Sequence, residues 1–269
     1  MREGAGQDEG APEAIIRLVR SKLSTNSGHF LQSLQLNPKR QIDFEEFPFC
    51  LPAVRHMKVL KFHPKVTYFV GENGTGKSTL LEAIAVAAGF NAEGGSKNFN
   101  FATRKTHSIL DEYIMLGRSA DREKTGYFLR AESFYNVATE IDALGVSYAY
   151  GGTSLHEQSH GESFLSLVQH RFLPNGLYIL DEPEAALSPA RQLSVLLRIH
   201  ELAESNCQFI IATHSPILMA YPGATMYSLS PDGIESVDWR ETEHYKLTKS
   251  FLDRPEVFLH HLLGDDTSH

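Results

Sequence analysis

Gly71-Glu72-Asn73-Gly74-Thr75-Gly76-Lys77-Ser78-Thr79 is the stretch on which the reading of this chain turns. Its spacing is G-x-x-x-x-G-K-[ST]. In such a loop the glycines let the backbone close round a phosphate without Cβ clashes, and N–H groups of the loop and of the next helix point at the anion. Lys77 supplies a charge for β- and γ-phosphate oxygens, and the Ser78 hydroxyl is a ligand for Mg²⁺. Upstream, Val66 to Val70 is a short apolar, β-branched and aromatic run; downstream, Ser78 to Ala88 has helix composition throughout. Strand, glycine-rich loop and helix in succession predict an α/β protein in which Gly71 to Thr79 bind a nucleotide.

Further out, Leu177-Tyr178-Ile179-Leu180-Asp181-Glu182 is an apolar strand ending in two carboxylates. Taken alone it reads as a strand running into a solvated acidic turn. Beside a phosphate loop, Asp181 becomes a Mg²⁺ ligand through water and Glu182 a group that orients or activates an attacking water. Gln158-Ser159-His160-Gly161-Glu162 opens an apolar-periodic helix (Phe164, Leu165, Leu167, Val168), and its Ser hydroxyl and Gly N–H form a second anion site at a helix start. His214, in Thr213-His214-Ser215-Pro216, follows the buried-strand run Gln208 to Ala212, where a polar side chain reaches a γ-phosphate; a lone His is otherwise a structural residue.

The rest of the chain sets limits. Its 269 residues suffice for one large domain with a small appended part, and 42% hydrophobic with 22% charged residues is ordinary globular composition. The net charge of −8 lacks the positive field of a non-specific DNA binder. Cys50 and Cys207 stand far apart and outside metal spacing, which points to a reducing cytoplasm, and no run of 18 apolar residues suggests a membrane span. There is no G-x-S-x-G elbow and no H-E-x-x-H. Residues 1–40 read as a solvated tail followed by a helical segment (Pro12 to Leu23). Residues 41–240 read as the main domain, with an inserted helical subdomain over about 91–170 that includes a helix at Ser108 to Leu116. Strands are expected at Met57 to Phe62 and Tyr127 to Arg130, with an amphipathic helix at Ala190 to Ser205. Residues 241–269 form a helical extension broken at Pro255, expected to dock on the core, with a partner-binding helix as the alternative.

The order Walker A loop, Ser-x-Gly-Glu, hydrophobic strand with Asp-Glu, Ala186-Leu187-Ser188, then His214 resembles the ATP-binding-cassette (ABC) superfamily over about Val54 to Ser230. Gly71 to Glu82 is similar to the soluble RecF/SMC-type branch, and the whole chain resembles short, coiled-coil-free ATPases of the AAA/ABC-like class. The resemblance implies an ABC-type P-loop domain with a mainly parallel core sheet, a small antiparallel β portion and the helical insert. It further implies Mg²⁺-dependent ATP hydrolysis in a head-to-tail homodimer. There Ser159, Gly161 and Glu162 contact the partner's nucleotide, while Lys77, Asp181, Glu182 and His214 act in cis. Ala186-Leu187-Ser188 couples the two sites.

Two departures stand out. His160 replaces the second residue of the usual Ser-Gly-Gly, and no glutamine lies between Walker A and Gln158, leaving Glu132 or Asn100 as the substitute Mg²⁺-contacting residue. No adenine-stacking ring can be chosen among Phe44, Phe47 and Phe49. A soluble clamp or switch acting on an unidentified protein or nucleic-acid partner is the reading favoured by the stretch Gly71 to Ile84 and by the lack of a membrane-span run. A transporter's ATPase subunit and a DNA-processing ATPase using Lys97, Arg104, Lys105, Arg118, Arg122 and Lys124 are the alternatives.

Overall fold

The computed structural model describes residues 29–97, 108–130 and 160–264. In chain order the strands are β1 (Leu31–Leu36), β2 (Leu60–Lys61), β3 (Val66–Val70), β4 (Gly95–Ser96), β5 (Ile114–Arg118), β6 (Thr125–Arg130), β7 (Gly176–Asp181), β8 (Gln208–Ala212), β9 (Thr225–Ser230) and β10 (Gly233–Ser236). The longer helices are α1 (Lys77–Ala88), α2 (His160–Arg171), α3 (Pro189–Glu204), α4 (Glu243–Asp253) and α5 (Pro255–Leu263), with single helical turns at Pro52–Arg55 and Pro216–Met219. A seven-stranded sheet runs β10-β9-β3-β8-β7-β6-β4, and a three-stranded one runs β2-β1-β5. From β9 to β6 every pairing is parallel. The small sheet is antiparallel, as are the two outermost pairings of the large one. The fold is therefore mixed α/β with a mostly parallel sheet and a small antiparallel one, as expected.

Because side chains alternate across a strand, each apolar run serves two cores. Tyr68, Tyr178, Leu180, Phe209 and Ile211 face one side, with Phe164, Leu167 and Val168 of α2 and Val195, Ile199 and Leu202 of α3. Phe69, Leu177, Ile179, Ile210 and Ala212 face the other, where Leu80, Leu81 and Ile84 of α1 pack together with Leu31 and Leu34 of the small sheet. At about 1.5–3 kcal/mol for each large apolar side chain removed from water, these layers hold the sheet's edge in place.

Helix α1 stops at Gly89, which takes a left-handed φ of 95° and donates to Val86 O while Phe90 N donates to Ala85 O. Its last carbonyls are taken by cations: Lys97 Nζ bonds Ala88 O at 2.9 Å and Arg118 bonds Ala87 O at 2.8 Å. Both cations also pair with Glu123. Among the described members of the basic set read as a DNA contact, Lys97 and Arg118 thus serve the end of α1.

Two buried side chains bridge the sheets: the Tyr227 hydroxyl of β9 bonds Lys61 N and O of β2, and Gln208 reaches β1. Gln208 is fully buried; its Oε1 accepts from Leu31 N at 2.9 Å, and its Nε2 donates to Leu31 O at 2.7 Å and His63 O at 3.0 Å. Gln208→Leu should destabilise the protein by about 3 kcal/mol, since buried backbone groups lose their partners. A urea-unfolding midpoint equal to the wild type's would show the joint to be unimportant.

Several expectations need correction. The described part of the insert holds strands as well as helix α2: Ser108 to Leu116 is a 3₁₀ turn (Ile109–Tyr113) followed by β5, and β4 and β6 join the main sheet. The apolar residues Ile109, Leu110, Ile114 and Leu116 suit a helix locally, but pairing with β1 overrides that preference. Residues 1–40 are not all tail, because β1 is the middle strand of the small sheet. The strand at Met57 to Phe62 shrinks to Leu60–Lys61. The C-terminal helices break at Pro255 as read, yet they do not bury their apolar residues: Leu252 is 70% exposed, Leu262 73% and Leu263 71%. The helix expected at Pro12 to Leu23, with Asn100, Arg104, Lys105, Glu132 and Ser159, lies outside the described residues.

Candidate active site

The three strands β3, β8 and β7 lie side by side, with Phe69, Ala212 and Asp181 in one row. Parallel pairing makes them end together, so the chain leaves the sheet at Gly71, Thr213 and Glu182 along one edge. Backbone bonds hold these exits in register: Thr213 N donates to Phe69 O at 3.2 Å and Glu182 N to Ala212 O at 3.0 Å.

Gly71 must be glycine: φ is 147°, and a Cβ there would stand 2.3 Å from Leu229 O. The loop then turns through Glu72 to Thr75, whose Oγ1 donates to Glu72 O at 2.8 Å. Gly76 precedes α1 with a left-handed φ of 94° and no side-chain cap. The first N–H groups of α1 are thus left to face an anion. Lys77 is buried, 4% exposed, and its ammonium donates to Gly71 O at 2.8 Å and Glu72 O at 3.0 Å. Burial lowers its pKa, against the opposing pull of Glu182, Asp181, Glu72 and Glu184. Asn73 and Gly74 are at the exposed tip and Thr79 is half-buried one residue into the helix from Ser78.

Ser78 Oγ donates to Asp181 Oδ1 at 3.1 Å. Two adjacent oxygen donors, one a buried carboxylate, suit Mg²⁺, which prefers oxygen and takes few protein ligands beside phosphate and water. Glu182 is held at φ 49°, ψ 54°, a left-handed conformation that is sparsely used by side-chain-bearing residues. It begins the turn Pro183–Ala186, and Pro183 and the bond to Ala212 fix its entry and exit. Its carboxylate Oε1 is 3.3 Å from His214 Nε2, close enough for attraction but not aligned as a hydrogen bond. Burial, then the charge of Lys77, keeps the His214 pKa below its ordinary value, with Glu182 pulling the other way. His214 N donates to Glu184 Oε1 at 2.5 Å, and burial raises the pKa of Glu184.

Gly161 and Glu162, at the start of α2, do not join this cluster through their own contacts. A Cβ on Gly161 would meet Ala186 O at 2.7 Å and the Arg191 guanidinium at 2.5 Å, and exposed Glu162 pairs with Arg191 at 3.2 Å. Ser188 caps α3, accepting from Arg191 N at 3.4 Å. From that helix Gln192 donates to Leu187 O at 3.0 Å and accepts from Ser215 Oγ at 2.5 Å, tying the 186–188 loop to the segment that carries His214. Of the three aromatic residues considered for adenine, Phe49 is buried against Tyr113 and Phe47 is 64% exposed.

Comparison with known proteins agrees with this geometry. A family model described as an AAA domain matches residues 41–140, and a second AAA-domain model, whose description names the AbiEii toxin of a type IV TA system, matches 151–220. These two matches mark AAA-type ATPase domain sequence over residues 41–140 and 151–220. The chain is 30% identical over 159 residues to the molybdate import ATP-binding protein MolC of Haemophilus influenzae, covering 55% of this chain and 60% of that one. It is 24% identical over 172 residues to ABC transporter G family member 22 of Arabidopsis thaliana, covering 56% and 23%. The chain therefore spans less than two thirds of these relatives' lengths. Among solved structures, the SMC head domain from Thermotoga maritima aligns over 78% of this chain and 98% of that one, at 16% identity and a TM-score of 0.39, a loose likeness. No helix among the described residues is long and apolar enough to cross a membrane.

One member of the cluster escaped sequence reasoning. His244, on α4, brings Nε2 to 2.8 Å from His214 Nδ1 and 3.6 Å from Glu72 Oε1. A cavity of about 130 Å³ between the loop and the start of α4 is lined by Gly71, Glu72, Thr75 and His244. No motif signals His244; only the fold brings it back to the loop.

Proposed function

We propose that this chain hydrolyses ATP to ADP and phosphate with Mg²⁺, as a cytoplasmic clamp that closes by homodimerising around ATP. The observation that carries the reading is the convergence of Lys77, the Ser78–Asp181 pair and the Glu182–His214 pair on the ends of three adjacent strands. Gly71 to Thr79 wrap the phosphates, and Lys77 moves from its own loop's carbonyls to the β- and γ-oxygens. Ser78 and Asp181 would hold Mg²⁺, which would supply charge neutralisation at the phosphates. Glu182 takes the proton of the water whose oxygen bonds to the γ-phosphorus, and the bond to the β-bridging oxygen breaks so that ADP leaves with its electron pair. His214 faces the γ-phosphate.

In this reading Ser159, Gly161 and Glu162 meet the nucleotide of the second copy, and 241–269 is an extension of a domain that begins no later than β1. The packing of Gly161 against Ala186 of its own chain supports a shared surface formed by the α2 start and the 186–188 loop. Light scattering on the Glu182→Gln protein should read 30.0 kDa alone and twice that mass with Mg·ATP, and Ser159→Arg should abolish the shift. An unchanged mass with ATP demonstrably bound would defeat the clamp.

The curated relatives favour a second reading, an ATPase subunit of a transporter. It requires co-purification with an integral-membrane protein after solubilisation; failure to find one removes it. For the DNA-processing alternative, the engagement of Lys97 and Arg118 with Glu123 leaves exposed Arg122 and Lys124 as the described basic residues available.

A further inference from the structure

Only one proton can lie between His214 Nδ1 and His244 Nε2, which are 2.8 Å apart. If it sits on His214, the Nε2 of neutral His214 presents a lone pair to the Glu182 carboxylate 3.3 Å away, and that carboxylate can only accept. If it sits on His244, neutral His214 carries its proton on Nε2, facing Glu182. A second contact favours the latter. Glu72 Oε1, 3.6 Å from His244 Nε2, also stabilises an N–H at that nitrogen. We infer that His244 is a positioning residue: it donates to His214 Nδ1 and so fixes His214 as the Nε2–H tautomer, the form able to donate toward the Glu182 and phosphate side.

His244 is well placed to hold this role. Thr242, 4% exposed, caps α4 by accepting from Tyr245 N at 3.4 Å, and its own hydroxyl donates to Trp239 O at 2.6 Å. Tyr245 packs edge-on against Trp239 with ring centroids 4.6 Å apart. The start of the helix is thus anchored even though its later turns are exposed, and the ring of His244 is only 16% exposed. His214 Nε2 is itself buried and has no hydrogen-bond partner, a donor held ready rather than used. The two histidines are 30 residues apart, one following the sheet and one on the C-terminal extension. The extension is therefore part of the site's proton arrangement.

The kinetic consequence rests on the ATPase reading; the tautomer does not. Long-range ¹H–¹⁵N spectra of ¹⁵N-histidine-labelled protein, with His214 assigned from a His214→Asn variant, should show the His214 proton on Nε2. His244→Phe, which keeps a ring but has no N–H, should lose that preference and lower kcat by about tenfold to a hundredfold with KM for ATP unchanged, the range for residues that orient a functional histidine. His244→Gln, whose amide donates again, should recover both the tautomer and most of kcat. A His214 proton on Nδ1 in the wild type overturns the inference, as does a Gln variant no better than Phe. If the wild type hydrolyses no ATP, the functional reading falls and the spectra still decide the tautomer.

Discussion

Glu182→Gln should slow ATP turnover by about 10²- to 10⁴-fold while nucleotide binding survives, the usual span for loss of a general base. The amide has nearly the shape of the carboxylate, and the bond from Glu182 N to Ala212 O is made by backbone and is untouched. The left-handed backbone at φ 49° is likewise held by Pro183 and the strand end, not by the side chain's charge. What changes is the ability to take a proton. The neighbouring carboxylate cannot easily step in, because Glu184 Oε1 is bonded to His214 N. Phosphate release under saturating Mg·ATP, with affinity measured by calorimetry, is the check. Turnover at the wild-type rate would sink the assignment of Glu182.

Lys77→Ala should instead remove binding, weakening ATP by about a hundredfold or more, as expected when charge-assisted bonds to phosphate are lost. The site without its ammonium is acidic: Glu72, Asp181, Glu182 and Glu184 all lie close enough to act on Lys77. A polyphosphate entering it would meet carboxylates with only Mg²⁺ and backbone N–H groups to offset them. Stability should change little, since the variant relieves a buried charge while giving up two bonds to loop carbonyls. Calorimetric titration with Mg·ATP, beside a thermal melt of the same sample, separates the two effects. Wild-type affinity in a folded variant would move the phosphate site away from this loop.

How much of this was legible beforehand depends on where the information resides. The loop, the strand before it and the helix after it are local, so Val66–Val70 and Lys77–Ala88 match the reading to within a residue. Asp181 and Glu182 were readable because an apolar run ending in acids is also local. The order of strands was not: that β8 lies between β3 and β7 is set by crossovers, and this is what puts His214 beside Glu182. Helical spacing misled at Ser108 to Leu116, where strand pairing with β1 wins. It misleads again at the chain's end, where apolar residues at helical intervals are expected to be covered and Leu247, Leu262 and Leu263 are not. His244 belongs to no motif, and its meaning arises from a contact with a residue far from it in sequence.

Among the described residues, both borders of the large sheet are short. On one side it ends in β4, two residues long, with Gly94 and Gly95 both at positive φ; on the other it ends in β10, four residues running antiparallel and carrying Glu235. Short, turned-away and charged borders make poor templates for another chain's strand. Copies of this protein that meet in solution are thereby discouraged from joining backbone to backbone into open-ended polymers. Association is left to side-chain and loop surfaces, which can be made and broken reversibly.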